Sequence, residues 1–109
     1  MHELGIAQEI VEMVCDRSGG ARVTRVVLEI GKLSAVLPDA VRFCFDLCVE
    51  GTVVEGASLV ILETPGRARC RECGGELSLD RPFGRCECGN TDLEWLSGEE
   101  LKIKEFEVI

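Results

Sequence analysis

The sequence predicts an α+β fold: two helices packed on a small three-stranded mixed sheet, with an inserted zinc-ribbon-like lobe. Three observations predict it. Two segments repeat apolar residues at helical spacing, three short segments read as strands, and a stretch holding two close cysteine pairs precedes the last strand.

The elements follow in order. Leu4, Ala7, Val11 and Val14 recur at steps of three and four, and Ile6, Ile10 and Met13 widen that stripe, so residues 3–17 are expected to be helical. Gln8, Glu9, Glu12 and Asp16 form the opposite, polar side. Ser18-Gly19-Gly20 stops the helix with residues that accept positive φ. Residues 22–31 hold Val23, Thr24, Val26, Val27 and Ile30 and read as a strand. A loop follows to Pro38, which suits the first turn of a helix, with Asp39 favourable at its positive end. That second helix runs to about Val49, with Val41, Cys44, Phe45 and Cys48 on one stripe, and Gly51 closes it. Leu59–Glu63 is a second strand, ended by Thr64-Pro65-Gly66, and Lys102–Val108 is the last. Its apolar parity changes between Ile103 and Phe106, which suggests a bulge or a strand shared between two sheets.

Composition changes at Pro65. From Arg67 to Gly98 the chain is richer in Gly, Arg and Cys and poorer in branched aliphatics. Residues 1–65 and 99–109 are therefore expected to form one α+β domain, and residues 66–98 a second, metal-stapled one. A chain of 109 residues accommodates this and little more. The apolar runs reach only four or five residues, far short of the roughly 20 that span a bilayer. The first residues lack the basic and apolar regions of a signal peptide, so the cytoplasm is the expected location. A net charge of -8 repels phosphate backbones and anionic lipid, leaving divalent cations and basic protein surfaces as partners and arguing against nucleic acid and membrane. Within this acidic chain, Arg81 and Arg85 stand out as basic positions.

Cys70-Arg71-Glu72-Cys73 and Cys86-Glu87-Cys88 are separated by twelve residues. Two close pairs at that distance mark a tetrahedral thiolate site, and zinc takes four such donors in a closed structural centre. Gly74, Gly75 and Gly89 follow the pairs and let the backbone turn tightly around the sulfurs. The competing readings are iron in a rubredoxin-like site and four buried or disulfide-bonded cysteines. Cys44 and Cys48 lie one turn apart on an apolar helix stripe and read as small hydrophobes, as does Cys15 near the end of the first helix. The seven cysteines and single histidine leave no nucleophile–base pair for an enzyme, and a four-thiolate zinc has no open position for water.

The single histidine is His2. Methionine is removed from new chains only before small residues, so an α-amine on Met1 is expected beside the imidazole. The amine, the His2 backbone nitrogen and ring, and the Glu3 amide can wrap one ion in fused rings. Planar nitrogen coordination of that kind suits Ni(II) or Cu(II). Taken alone, a histidine at position 2 is ordinarily just part of a solvated terminus.

The whole chain resembles the HypA/HybF family of hydrogenase nickel-incorporation proteins. The resemblance is carried by Met1-His2-Glu3-Leu4, by Ile30-Gly31-Lys32-Leu33-Ser34, by Phe43-Cys44-Phe45, by Glu55-Gly56-Ala57, by the cysteine module and by the closing strand. It implies a metallochaperone and not an enzyme. Met1, His2 and Glu3 would bind nickel, and Cys70, Cys73, Cys86 and Cys88 would bind structural zinc. The first domain is then nickel-binding and the second zinc-binding. The resemblance also implies delivery to the [NiFe]-hydrogenase large subunit with the GTPase HypB as partner. The alternative is a zinc-ribbon interaction or redox module without nickel delivery. The chain departs from the family at its second cysteine pair, which is C-x-C where C-x-x-C is usual. It has Gly74 and Gly89 where some relatives have histidine, and Leu37 where some have a carboxylate, with Asp39 nearby.

Overall fold

The computed structural model of the chain describes residues 3–109. Eight elements follow in order: α1 (Glu3–Ser18), β1 (Val23–Gly31), α2 (Pro38–Cys48), β2 (Ser58–Thr64), β3 (Gly66–Cys70), β4 (Glu76–Leu79), β5 (Leu93–Ser97) and β6 (Leu101–Val108). The α+β class is as the patterning predicts, with two helices, one mixed sheet and a second, antiparallel sheet beside the turns of the two cysteine pairs.

The first sheet has the order β2-β1-β6. The Val23 amide donates to the Val53 carbonyl (2.9 Å) and the Lys32 amide to the Thr64 carbonyl (3.0 Å), so β1 and β2 run in the same direction. Parallel neighbours need a long crossover, and α2 is that crossover. On the other side, Gly31 donates to Glu100 (2.6 Å) and Ile109 to Arg22 (3.0 Å), which makes β6 antiparallel to β1. Both bonds lie in one register, whereas a lone bulge would leave a one-residue slip. β6 also belongs to this sheet only. Its parity change is that of an edge strand on which no residue is fully buried. Lys102, Lys104, Glu105 and Glu107 keep that edge charged and so discourage pairing with other chains.

The chain divides into two compact units. One takes the chain through Leu28, then Val36–Leu62 and Lys102–Ile109; the other takes Glu29–Ala35 and Glu63–Leu101. In the first, α1 buries Ile6, Ala7, Ile10, Val11 and Val14, and α2 buries Val41 and Phe45. Val23, Val26, Val27 and Leu28 of β1 are also buried. Leu4 and Met13, part of the expected stripe, are 45% and 43% exposed, so the buried face of α1 is narrower than its apolar sequence. The Ser18 hydroxyl donates to the Cys15 carbonyl (3.0 Å) at the end of α1, and Gly19 and Gly20 carry the chain away with positive φ. Pro38 begins α2, and the Leu37 amide just before it donates to the Glu3 carboxylate (3.3 Å), which sets the two helix starts side by side.

In the second unit the sheet order is β4-β3-β5, all antiparallel. Its apolar core is small: Leu33, Ala68 and Leu79, with Leu77 and Leu93 packed against them. Leu33 comes from the loop after β1, and the backbone there is crowded. A Cβ on Gly31 would lie 1.9 Å from the Gly98 carbonyl oxygen, the same oxygen that accepts the Leu33 amide at 2.8 Å. Only glycine fits at position 31 without moving that backbone.

Gly31→Ala is therefore expected to lower unfolding free energy by about 1–3 kcal/mol or more, by the overpacking it forces. Phe45→Ala, at a fully buried site, should cost about 3–5 kcal/mol through the cavity it leaves. Urea unfolding followed by circular dichroism measures both.

Candidate metal centre

Cys70 ends β3, and Cys73 lies in the turn that leads to β4. The Gly74 amide donates to the Cys70 carbonyl (3.0 Å) and the Cys70 amide to the Gly75 carbonyl (2.8 Å), closing a tight knuckle. Cys86 and Cys88 sit in a matching turn, where the Gly89 amide donates to the Cys86 carbonyl (2.8 Å) and the Cys86 amide to Asn90 (2.9 Å). Gly74 and Gly89 turn the chain with φ of 74° and 96°, a region open to glycine at little cost.

These two knuckles bring all four sulfurs within 4.8 Å of one another. The pairs cross: Cys70 Sγ lies 3.6 Å from Cys88 Sγ, and Cys73 Sγ lies 3.5 Å from Cys86 Sγ. A tetrahedron of about 2.3 Å zinc–sulfur bonds has edges of about 3.8 Å, so the spacing suits one ion at the centre. A disulfide needs about 2.05 Å, and all four are free thiols. The C-x-C pair, one residue shorter than C-x-x-C, still delivers both sulfurs. Cys70 and Cys86 are buried, while Cys73 and Cys88 face solvent.

Backbone and side-chain donors surround the sulfurs. Cys73 donates its amide to Cys70 Sγ (3.5 Å), Gly75 its amide to Cys73 Sγ (3.4 Å), and Asn90 its Nδ2 to Cys70 Sγ (3.4 Å). The Cys73 amide, with the Asn90 side chain, lowers the Cys70 thiol to about 6. At Cys73 the Gly75 amide pulls the same way, but the neighbouring thiols of Cys86 and Cys70 and burial outweigh it and leave the group raised. At Cys88 the Asn90 amide is likewise outweighed by Cys70 and Cys86, and the thiol is pushed up to about 12. Four thiols this close cannot all ionise unless a cation compensates them. Asn90 was not singled out by the cysteine spacing; its only sequence signal is its place directly after Cys88-Gly89.

Among the described residues this is the one cluster of three or more His, Cys, Asp or Glu side chains placed to hold a metal. Cys15, Cys44 and Cys48 are half-buried and outside it. Burial, and then Cys44, push the Cys48 thiol up, which keeps it a neutral packing group. Met1 and His2, expected as nickel ligands, lie outside the described residues. Glu3 is the first residue of α1, and Asp39 is exposed in the first turn of α2.

Comparison with known proteins decides the lineage. The HypA family model, described as hydrogenase/urease nickel incorporation, metallochaperone, matches residues 1–108. The chain belongs to the HypA family. A hydrogenase maturation factor HypA from Nostoc punctiforme is 63% identical over 108 residues, covering 99% of this chain and 96% of that protein. One from Geotalea uraniireducens is 47% identical over 109 residues, covering 99% of each. The fold matches the solution structure of the Ni metallochaperone HypA from Helicobacter pylori with a TM-score of 0.68 at 23% identity, over 100% of this chain and 98% of that one. A second HypA solution structure matches with a TM-score of 0.60 at 22% identity, over 97% and 92% of the two chains. The family is described as a metallochaperone, and these relatives are named as hydrogenase maturation factors. No helix among the described residues is long and apolar enough to cross a membrane.

Because Cys73 and Cys88 hold their protons at neutral pH, a metal must displace them to bind. Affinity should rise steadily with pH across neutrality and fall in acid, with proton release seen in weakly buffered titrations. Asn90→Ala should weaken binding about 10-fold or more, since it removes a donor that orients a ligand sulfur. Competition titration against a chelator of known affinity at several pH values measures both effects.

Proposed function

We propose that this chain is a nickel metallochaperone of the cytoplasm. It binds Ni(II) through Met1, His2 and Glu3 and holds structural zinc on Cys70, Cys73, Cys86 and Cys88. It delivers nickel to the [NiFe]-hydrogenase large subunit, working with the GTPase HypB. The observation that carries this reading is the extent of the family match. It starts at residue 1 and runs to 108, so the Met1-His2-Glu3 start and both cysteine pairs fall inside it.

The two sites suit different ions. Four soft thiolates in a closed tetrahedron suit zinc, which would supply folding free energy to a unit whose own core is small, on the order of 10 kcal/mol. The Met1 amine, the His2 backbone nitrogen and ring, and the Glu3 amide form a planar nitrogen set that suits Ni(II). Glu3 opens α1, where backbone amides lie outside the helical hydrogen-bond ladder. The bond between its carboxylate and the Leu37 amide ties that position to the start of α2.

Two features support the partners. A groove of about 640 Å³ runs along α1 and α2, with Leu4, Val11 and Leu47 beside Glu12 and Asp16. With Glu9 also exposed, this acidic, partly apolar face fits the GTPase. The cysteine-bearing unit, with Arg81 and Arg85, would then face the large subunit.

Purified protein with its native terminus should contain one zinc per chain, and Cys73→Ser should lose it while α1 and α2 stay folded. Iron at the four thiolates, seen as a red sample, would contradict the zinc assignment. Ni(II) should bind in a planar, diamagnetic site that His2→Ala, or acetylation of the Met1 amine, removes without unfolding the chain. Planar binding that survives His2→Ala would contradict the ligand set. Deleting the gene should abolish [NiFe]-hydrogenase activity, with partial recovery in excess nickel. Reversing the charges of Glu9 and Glu12 should weaken HypB binding most at low salt, since exposed charges are screened beyond about 10 Å at 0.1 M.

A further inference from the structure

Residues 80–85 connect β4 to the first cysteine of the second knuckle as Asp80-Arg81-Pro82-Phe83-Gly84-Arg85. This loop and β5 enclose a cleft of about 400 Å³, lined by Pro82, Phe83 and Arg85 on one side and by Thr91, Leu93 and Trp95 on the other. Leu93 and Trp95 are two residues apart on β5 and so share a face. Leu93 packs on the Leu33–Ala68–Leu79 core, so the floor of the cleft is the outer side of that core.

The cleft leaves large apolar groups in water. Phe83 is 67% exposed and Trp95, the only tryptophan, is 38% exposed. An exposed aromatic forgoes part of the stabilisation that its burial would supply. The fold nonetheless fixes both. A Cβ on Gly84 would come within 2.4 Å of Leu79 Cδ2, so the loop is pressed onto the core between Phe83 and Arg85. The Arg81 guanidinium lies over the Phe83 ring, 5.6 Å from its centre, a cation–π contact that holds the ring and the charge together. Arg85 directly precedes Cys86, so a metal held by the four sulfurs would stiffen the loop from its other end.

Charge tells what the cleft accepts. The other basic side chains flanking this core are already paired. Arg67 meets Glu76, Arg69 meets Glu76 and Glu94, Arg71 meets Asp92, and Lys32 meets Asp80. Among the described residues, Arg81 and Arg85 have no carboxylate partner. Two unneutralised guanidinium groups beside exposed aromatic rings match a ligand that brings carboxylates and an apolar side chain together. A segment with a carboxylate for each arginine is neutralised locally, whereas nucleic acid, which also offers stacking and negative charge, brings a phosphate at every nucleotide into the field of a chain carrying a net charge of -8.

We propose that the Arg81–Phe83–Arg85 loop and Trp95 form a docking cleft for an acidic protein segment, in which an apolar side chain enters between Phe83 and Trp95 and flanking carboxylates take the two arginines. This extends the client-docking part of the reading above and names the chemistry of the client segment. It does not involve the proposed nickel ligands.

Trp95 reports on the cleft directly. The zinc-loaded full chain is titrated with acetyl-Asp-Glu-Leu-Val-Asp-Glu-amide, with the same peptide carrying Lys for each acid, and with single-stranded oligothymidylate. The acidic peptide should shift Trp95 emission to the blue and saturate, and its affinity should fall as salt rises. Arg81→Ala with Arg85→Ala should weaken it about tenfold or more, and Arg81→Lys with Arg85→Lys less, because lysine keeps the charge but loses the fork. Far-ultraviolet circular dichroism and zinc content check that these exposed substitutions leave the unit folded. No shift with the acidic peptide, an equal shift with the lysine peptide, tighter binding of the oligonucleotide, or unchanged affinity in the double Ala variant would each overturn the proposal. His2→Ala protein should bind the peptide as the parent chain does, and the double Ala variant should keep its nickel titration. Loss of nickel binding and loss of peptide binding are thus read separately.

Discussion

The convergence of four thiols at one point is the constraint on which the second unit depends. Its apolar core is built around three buried residues, Leu33, Ala68 and Leu79, one of them borrowed from the loop after β1. That is too little apolar area to hold three short strands unaided. A metal held by the four sulfurs would supply the missing restraint. It would tie the end of β3 to the turn before β4 and to the turn before β5, so that the register of both strand pairs would follow from where the knuckles close. The loop from Arg81 to Arg85 inherits that order, because it spans from β4 to Cys86. A centre of this kind acts on the lobe as a core would, and its strength varies with pH because its ligands are acids.

Much of the fold was legible in the sequence, and the reasons are local. The boundaries of α1, β1, α2, β2 and β6 follow from periodicity and from Gly and Pro punctuation, which act within a few residues. What was not legible depends on contacts between distant segments. Leu4 and Met13 carry the helical pattern of α1 yet stay exposed, because the buried face is set by what packs against it and not by the apolar residues available. Gly31 reads as the start of a loop, and only the structure places it against the Gly98 carbonyl. The strands β3, β4 and β5 alternate, as in Gly66-Arg67-Ala68-Arg69-Cys70 and Glu76-Leu77-Ser78-Leu79, but each run is only four or five residues long and holds few large apolar groups, too short a pattern to stand out from a loop. Their ion pairs, Arg67 and Arg69 with Glu76 above all, are cross-strand neighbours that only the register brings together.

The candidate thiolate site was legible for a different reason. Paired cysteines are informative because soft donors are scarce and their spacing is limited by the reach of a turn. The donors around them carry no such mark. Asn90 is an ordinary turn residue by sequence, yet its amide nitrogen lies 3.4 Å from Cys70 Sγ and its side-chain oxygen accepts the Asp92 amide. It holds a sulfur and the turn after it with one side chain. The nitrogen ligands proposed at Met1 and His2 are the opposite case: nothing in their pattern differs from an ordinary solvated end, and the proposal for them rests on the family match.

In the proposed reading, one short chain handles two divalent ions, and ligand chemistry keeps them apart. The four-thiolate centre imposes a tetrahedron, which suits the spherical d¹⁰ zinc ion and denies nickel the plane it prefers with nitrogen donors. The terminal amine, imidazole and backbone amides impose that plane and offer zinc little. Kinetics separates the two as well. A centre enclosed by two knuckles must open part of a folded unit to release its ion, whereas ligands at a chain terminus can leave one at a time as acceptor groups replace them. The closed site thus suits a permanent structural ion and the terminal site a travelling one. With the travelling ion on Met1, His2 and Glu3 and the structural ion on the four cysteines, no ligand is shared, so the proposed reading has the chain give up the first ion while its thiolates keep the second.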